Sequence, residues 1–258
     1  MTPAARVAAA IGVLEAWAGG QPAEQALTNW ARGARYAGSG DRAAVRDHVY
    51  DVLRRRGTCA ALGGGETGRA LMIGLMRLQG VDPVSLFTGE GHAPAALSAE
   101  EAGLSAPMPH SEIDVPEWMR PAFARRAGAR QDELLEAMQR RAPLWLRVNT
   151  RRATRDGAIA RLADEGVVAR ADPRGGRALE VTSGARRVKS CAAYREGWVE
   201  VQDLSAQRAV EAVDWPGGRI LDYCAGGGGK ALAIAALSDA DLFAHDASPA
   251  RRTVAFIV

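Results

Sequence analysis

The chain has 258 residues, 47% of them hydrophobic and 24% charged, the balance of a folded globular protein, which excludes a largely disordered chain. The formal net charge is only +3, with a pI of about 9.0, so the basic excess permits nucleic-acid binding without requiring it. Three widely spaced cysteines, Cys59, Cys191 and Cys224, form no CxxC pair, which argues against a disulfide framework or a zinc site and fits a reducing cytoplasm.

The N-terminus is apolar, but Arg6 and Glu15 interrupt it, and Val7, Ile11 and Leu14 fall at helical spacing. That pattern predicts an amphipathic helix, not an export signal. No apolar run reaches the roughly 18 residues of a membrane span, so none is expected. Residues 1 to about 135 are predicted to run helix after helix. Val45, Val49, Val52 and Leu53 form one stripe, and Leu71, Leu75 and Leu78 another. Pro22 is predicted as the first residue of a short helix, and Ser98 followed by Glu101 matches a capping box. Gly and Pro clusters at 63–65, 89–94 and 106–109 separate the segments. From these residues alone the stretch is a plain helical bundle.

Near Pro143 the pattern changes. LWLRVNT reads as a strand, RDGAIARLADEG as a helix ending on Gly166, and VVARADPRGGRALEV as a hairpin around Pro-Arg-Gly-Gly. WVEVQDL alternates with period two and reads as another strand. From 205, SAQRAVEAVDW reads as a helix, GGRILDYC as a short strand, AGGGGK as a glycine-rich loop, ALAIAALS as a helix and DLFAHDAS as a strand ending in an acid. Strand, loop, helix and strand open a doubly wound sheet. Two strands do not complete one, so the domain is expected to be truncated, or RRTVAFIV to come from another reading frame.

The loop Cys224-Ala225-Gly226-Gly227-Gly228-Gly229-Lys230 lets backbone approach a ligand closely, because no Cβ intervenes. Asp246 ends the next strand, where such folds place an acid on ribose hydroxyls. A Walker A loop is rejected, because Ala231 stands where the magnesium-binding hydroxyl is needed. A dinucleotide, S-adenosyl-L-methionine and an ordinary glycine-rich turn all remain compatible with the spacing.

Several segments, in order, resemble the Sun (RsmB-like) family of RNA cytosine-5 methyltransferases. LDYCAGGGGK resembles the family's D-x-C-A-x-x-G-G-K cofactor loop. AHDAS with Arg251 and Arg252 resembles its ribose-binding strand, and WVEVQDLSAQ its entry to the catalytic domain. PLWLRVNT resembles the R-V-N strand before it, and DRAAVRDHVYDVLRRR the helical NusB-like domain of the ribosomal-RNA members. The resemblance implies α plus α/β architecture: a NusB-like helical bundle over 1–138, a small α/β (RRM-like) unit over 139–204, and the start of a Rossmann-like class I methyltransferase sheet over 205–258. It implies that Cys224, Ala225, Gly226, Gly227, Gly228, Gly229 and Lys230 contact S-adenosyl-L-methionine, that Asp246 holds its ribose, and that Asp222 orients the loop. Where this chain has Gly226-Gly227 and Ala231, the family usually carries Ala-Pro and Thr. Losing the proline should loosen the loop.

Methylation at cytosine C5 needs a thiolate that adds to C6. The family's motifs for it, resembling D-x-P-C-S-G and T-C-S, do not occur in this sequence, so no catalytic residue is assigned and this polypeptide is expected to be inactive. Candidate RNA contacts are Arg54, Arg55, Arg56, Arg147, Arg151, Arg152, Arg186, Arg187 and Lys189, since such side chains bind phosphates by charge. The expected partner is ribosomal RNA, 16S by the NusB-like domain, and the expected setting a cytoplasmic monomer with no metal. The competing readings are a non-catalytic RNA-binding module and a nicotinamide-dependent enzyme.

Overall fold

A computed structural model describes residues 1–105 and 107–248; Arg251, Arg252 and part of the 106–109 cluster lie outside them. The fold is mixed helix and sheet and divides into two compact units, Met1–Arg141 and a second beginning at Ala142.

The first unit is helical: α1 (Pro3–Ala18), α2 (Ala23–Gly33), α3 (Ser39–Arg54), α4 (Arg56–Gly63), α5 (Gly68–Leu78), α6 (Ala99–Gly103), α7 (Arg120–Ala127) and α8 (Gln131–Gln139). Helix α1 starts where Thr2 accepts the Ala5 N–H and Pro3 presets the first turn. It buries Val7, Ala10, Val13 and Leu14, the face the periodicity indicated. Pro22 stands one residue earlier than expected, as the N-cap of α2. Helix α3 buries Val45, Val49 and Val52, and α5 buries the continuous run Leu71–Met76, so α5 is the centre of this core. Each Val, Leu, Ile or Met side chain among them stabilises the fold by about 1.5–3 kcal/mol when taken out of water.

Helices α4 and α5 cross with their backbones in contact. A Cβ on Gly74 would lie 1.9 Å from the Cys59 carbonyl oxygen, and one on Gly63 would lie 1.8 Å from that of Ala70. The passage from α5 to α6 has only a short 3-10 turn, and Arg69 holds its far end. The Arg69 guanidinium donates to the Ala95 and Ala96 carbonyls at 3.0 Å, pairs with Glu101 and lies over the Phe87 ring. Ser98 and Glu101 form the expected capping box.

The second unit contains β1 (Leu144–Val148), α9 (Arg155–Asp164), β2 (Val168–Ala171), β3 (Ala178–Ser183), α10 (Ala192–Arg195), β4 (Val199–Val201), α11 (Leu204–Glu211), β5 (Arg219–Asp222), α12 (Gly229–Ala235) and β6 (Asp241–Ala244). Strands β1–β4 form an antiparallel sheet in the order β2-β3-β1-β4. The expected hairpin is β2–β3, and positive φ at Gly175 and Gly176 turns it. One sheet face, carrying Leu146, Val148, Leu179 and Val199, packs with Ala158 and Leu162 of α9. Asp172 at the hairpin turn is bridged by Arg208 of α11, which also donates to the Gly175 carbonyl. Strands β5 and β6 pair in parallel, joined through α12, with Val210, Ala233 and Ile234 packed against Trp215, Ile220 and Leu242. The last strand of the small sheet is shorter than WVEVQDL suggested. It ends at Val201 because Asp203 accepts the Ser205 N–H and starts α11.

Candidate cofactor loop and basic surfaces

The glycine loop sits at the carboxyl ends of two parallel strands. β5 delivers Asp222, the chain turns through Tyr223 to Gly228, and α12 begins at Gly229. Gly226 (φ +55°) and Gly228 (φ +82°) hold left-handed backbone that L side chains rarely adopt, which is why glycine is needed at both. Three hydrogen bonds shape the turn: Ala225 N–H to the His245 carbonyl (2.8 Å), Gly226 N–H to Asp246 Oδ2 (2.9 Å) and Gly228 N–H to the Ala225 carbonyl (2.8 Å). Asp246 is thus brought to the loop from the end of β6, and its Oδ1 accepts the Ser248 N–H.

Beneath the loop, Asp222 is buried and its Oδ2 has no hydrogen-bond partner among the described residues, while Oδ1 lies 3.8 Å from Lys230 Nζ. Lys230 also donates to the Cys224 carbonyl at 3.4 Å. Beside it, the Tyr223 and His245 rings stack with centroids 4.8 Å apart. Open space lies next to Gly226, where a Cβ would meet nothing within 4 Å. A cleft of about 610 Å³ elsewhere in this unit is lined by Asn149, Arg151, Glu200, Leu232, Asp239 and Leu242, and by none of the loop residues.

The cysteines have distinct settings. Cys59 is fully buried, and burial pushes its thiol up to about 12. Cys191 is buried and donates to the Val188 carbonyl. Cys224 is exposed on the loop. Among the described residues no group of three or more His, Cys, Asp or Glu could hold a metal ion, and no helix is long and apolar enough to cross a membrane.

The arginine candidates separate clearly. Arg186, Arg187 and Lys189 lie exposed on a 3-10 turn, Ala185–Ser190, around the buried Val188. Arg54 and Arg55 turn to Asp51, and Arg56 pairs with Glu66 and stacks over Trp17. Arg151 pairs with Asp239, and Arg152 donates to the Glu196 carbonyl. Arg147 is a correction: it is 3% exposed, bonded to Glu200, Gln202 and the Gly229 carbonyl, and so presents no surface to RNA. Burial pushes its guanidinium pKa down and that of Glu200 up, the directions a desolvated pair takes. The sequence alone assigns no site role to Glu200 or Gln202. Their signal was the period-two pattern of VEVQ, which puts both on the face opposite Val199.

Residues 115–187 match the family described as Methyltr_RsmF/B-like, ferredoxin-like domain. The ribosomal RNA small subunit methyltransferase B of Erwinia tasmaniensis is 36% identical over 120 residues. The protein of that name from Salmonella arizonae is 36% identical over 138 residues. The aligned parts of this chain are similar to RsmB/Sun-like methyltransferases. These alignments take in 46% and 53% of this chain but only 28% and 32% of the relatives, so it spans about a third of the RsmB/Sun-like proteins it matches. A solved structure titled Crystal Structure of PH0851 covers 98% of this chain and 66% of its own, with a TM-score of 0.67 and 16% identity, and shows a shared fold.

Proposed function

We propose that this chain carries the cofactor-binding and RNA-binding parts of an S-adenosyl-L-methionine-dependent ribosomal RNA cytosine-C5 methyltransferase. The observation that carries the reading is the hydrogen bond from Gly226 N–H to Asp246 Oδ2, which joins a glycine loop after one parallel strand to an acid two residues past the end of the next. The residues fit the cofactor: Gly226 faces open space, and Asp246 is bonded to its N–H at the edge of the loop. Cys224–Lys230 and Asp246 would hold it, and when bound it supplies an electrophilic methyl group. In this reading the first unit is a NusB-like bundle. Strands β1–β4, in βαββαβ succession, form an RRM-like unit, and the β5-α12-β6 segment starts a Rossmann-like sheet. The exposed turn with Arg186, Arg187 and Lys189 contacts RNA phosphates. None of the three cysteines is the nucleophile.

Calorimetric titration of the full chain with S-adenosylhomocysteine tests the reading, with NAD as comparison. Saturable binding that Asp246→Ala weakens at least about tenfold is expected, as for loss of a charge-assisted hydrogen bond. NAD bound in preference would overturn it. The second reading, a non-catalytic RNA-binding module, is favoured by the settings of the cysteines. It predicts RNA binding with no cofactor binding at all.

A further inference from the structure

We propose that Arg147 and Gln202 are positioning residues for the cofactor loop: together they clamp the carbonyl of Gly229 and fix where α12 starts. The functional consequence rests on the S-adenosylmethionine reading; the clamp itself rests on geometry. Arg147 Nη1 donates to the Gly229 carbonyl at 2.7 Å and to Gln202 Oε1 at 2.5 Å. Gln202 Nε2 donates to the same carbonyl at 3.1 Å. The three groups close a triangle that admits one orientation of the Gln202 amide, because the reverse would set two donors against each other. Gln202 is held from behind as well, its own carbonyl accepting from Gln207 Nε2 at 2.9 Å. Arg147 and Glu200 are direct cross-strand neighbours on β1 and β4, so the charge that reaches the loop is neutralised within the sheet.

Sterics do not explain the contact. A Cβ on Gly229 would sit 3.7 Å from Gln202 Nε2, an ordinary separation, so it is the carbonyl that the clamp engages. The strand side of the loop is already tied through Ala225 to His245 and Gly226 to Asp246. The clamp ties the helix side. A loop of consecutive glycines anchored at both ends has less freedom to lose when a ligand binds, and preorganisation of that kind raises affinity without a new contact. The small sheet is thereby a structural part of the cofactor site.

The test uses the full chain with Arg147→Lys, which keeps the charge and loses the fork, and Gln202→Ala, which leaves the Arg147–Glu200 pair intact. Amide hydrogen exchange is followed without cofactor at Ala225, Gly226, Gly228 and Leu232, all of which donate hydrogen bonds. Loss of a clamp bond is expected to speed these amides about tenfold in both variants, leave the β3 and α9 amides unchanged, and weaken S-adenosylhomocysteine about tenfold. Unchanged loop amides, or uniform acceleration across the unit, would overturn the proposal. If the unaltered chain bound no S-adenosylhomocysteine, the cofactor reading would fall, and the loop amides alone would decide the clamp.

Discussion

Gly74→Ala is expected to destabilise the first unit although alanine is the better helix former. The new methyl carbon would start 1.9 Å from the Cys59 carbonyl oxygen. Ordinary carbon–oxygen contact is about 3.3 Å or more, so α4 and α5 must separate by more than about 1 Å. The obstacle is backbone, and no side-chain rotation relieves it. Overpacking of this kind costs about 1–3 kcal/mol, and a gap of that width forfeits a quarter to a half of each neighbouring dispersion contact. Against this stands a helix-propensity gain of about 1 kcal/mol. The balance is a loss of about 1 kcal/mol. Gly12→Ala is the control: Gly12 lies mid-α1 with nothing within 4 Å of its Cβ position, so the propensity gain should appear undiminished. Urea unfolding followed by far-ultraviolet circular dichroism, with amide exchange in α5 as the local probe, should separate the variants by about 2 kcal/mol. Equal stability would refute the close-crossing argument.

Three further outcomes follow from charge and exposure. The hydrogen bond from Arg208, more than any other influence, holds the Asp172 carboxyl down at about 2, so its contribution is complete above the ordinary carboxylate range and disappears as the pH falls toward 2. Asp172→Asn should therefore flatten the acid limb of the second unit's stability curve, as measured by pH titration of its unfolding. Iodoacetamide on the native chain near pH 8 should modify Cys224 and spare Cys59 and Cys191, as peptide mass spectrometry would show; prompt labelling of Cys59 would contradict its burial. Replacing Arg186, Arg187 and Lys189 with alanine should lower the salt dependence of RNA binding by about one ion per lost phosphate contact, and an unchanged slope in filter binding would move the RNA surface elsewhere.

The sequence made the fold legible wherever periodicity ran long enough to separate a buried face from an exposed one. Helices α1 and α3 follow that signal, whereas β1 is buried on both faces and the β2–β3 hairpin is marked by its Pro-Arg-Gly-Gly turn. The brief elements between β3 and β4 escaped it, because Ala185–Ser190 and α10 complete too few turns to show a period. Gly63 looked like punctuation, and it does end α4, but its contact with Ala70 depends on a crossing between helices that local pattern does not encode. The burial of Arg147 escapes local pattern for a similar reason. An arginine in a strand is ordinarily solvated, and its burial is set by Glu200 and Gln202, which adjoin it only after β1 and β4 pair. The loop glycines stood out because positive φ leaves a compositional mark; the clamp beside them leaves none.

The Arg69 contacts bear on how the first unit comes apart. A stretch between two helices with little regular structure is where an engineer would insert a tag and where a protease would be expected to cut first. Here the carbonyls of Ala95 and Ala96 are pegged to a side chain rooted in the first turn of α5. Cleavage there would require the peg to be withdrawn, so this passage should resist a protease longer than its lack of regular structure suggests.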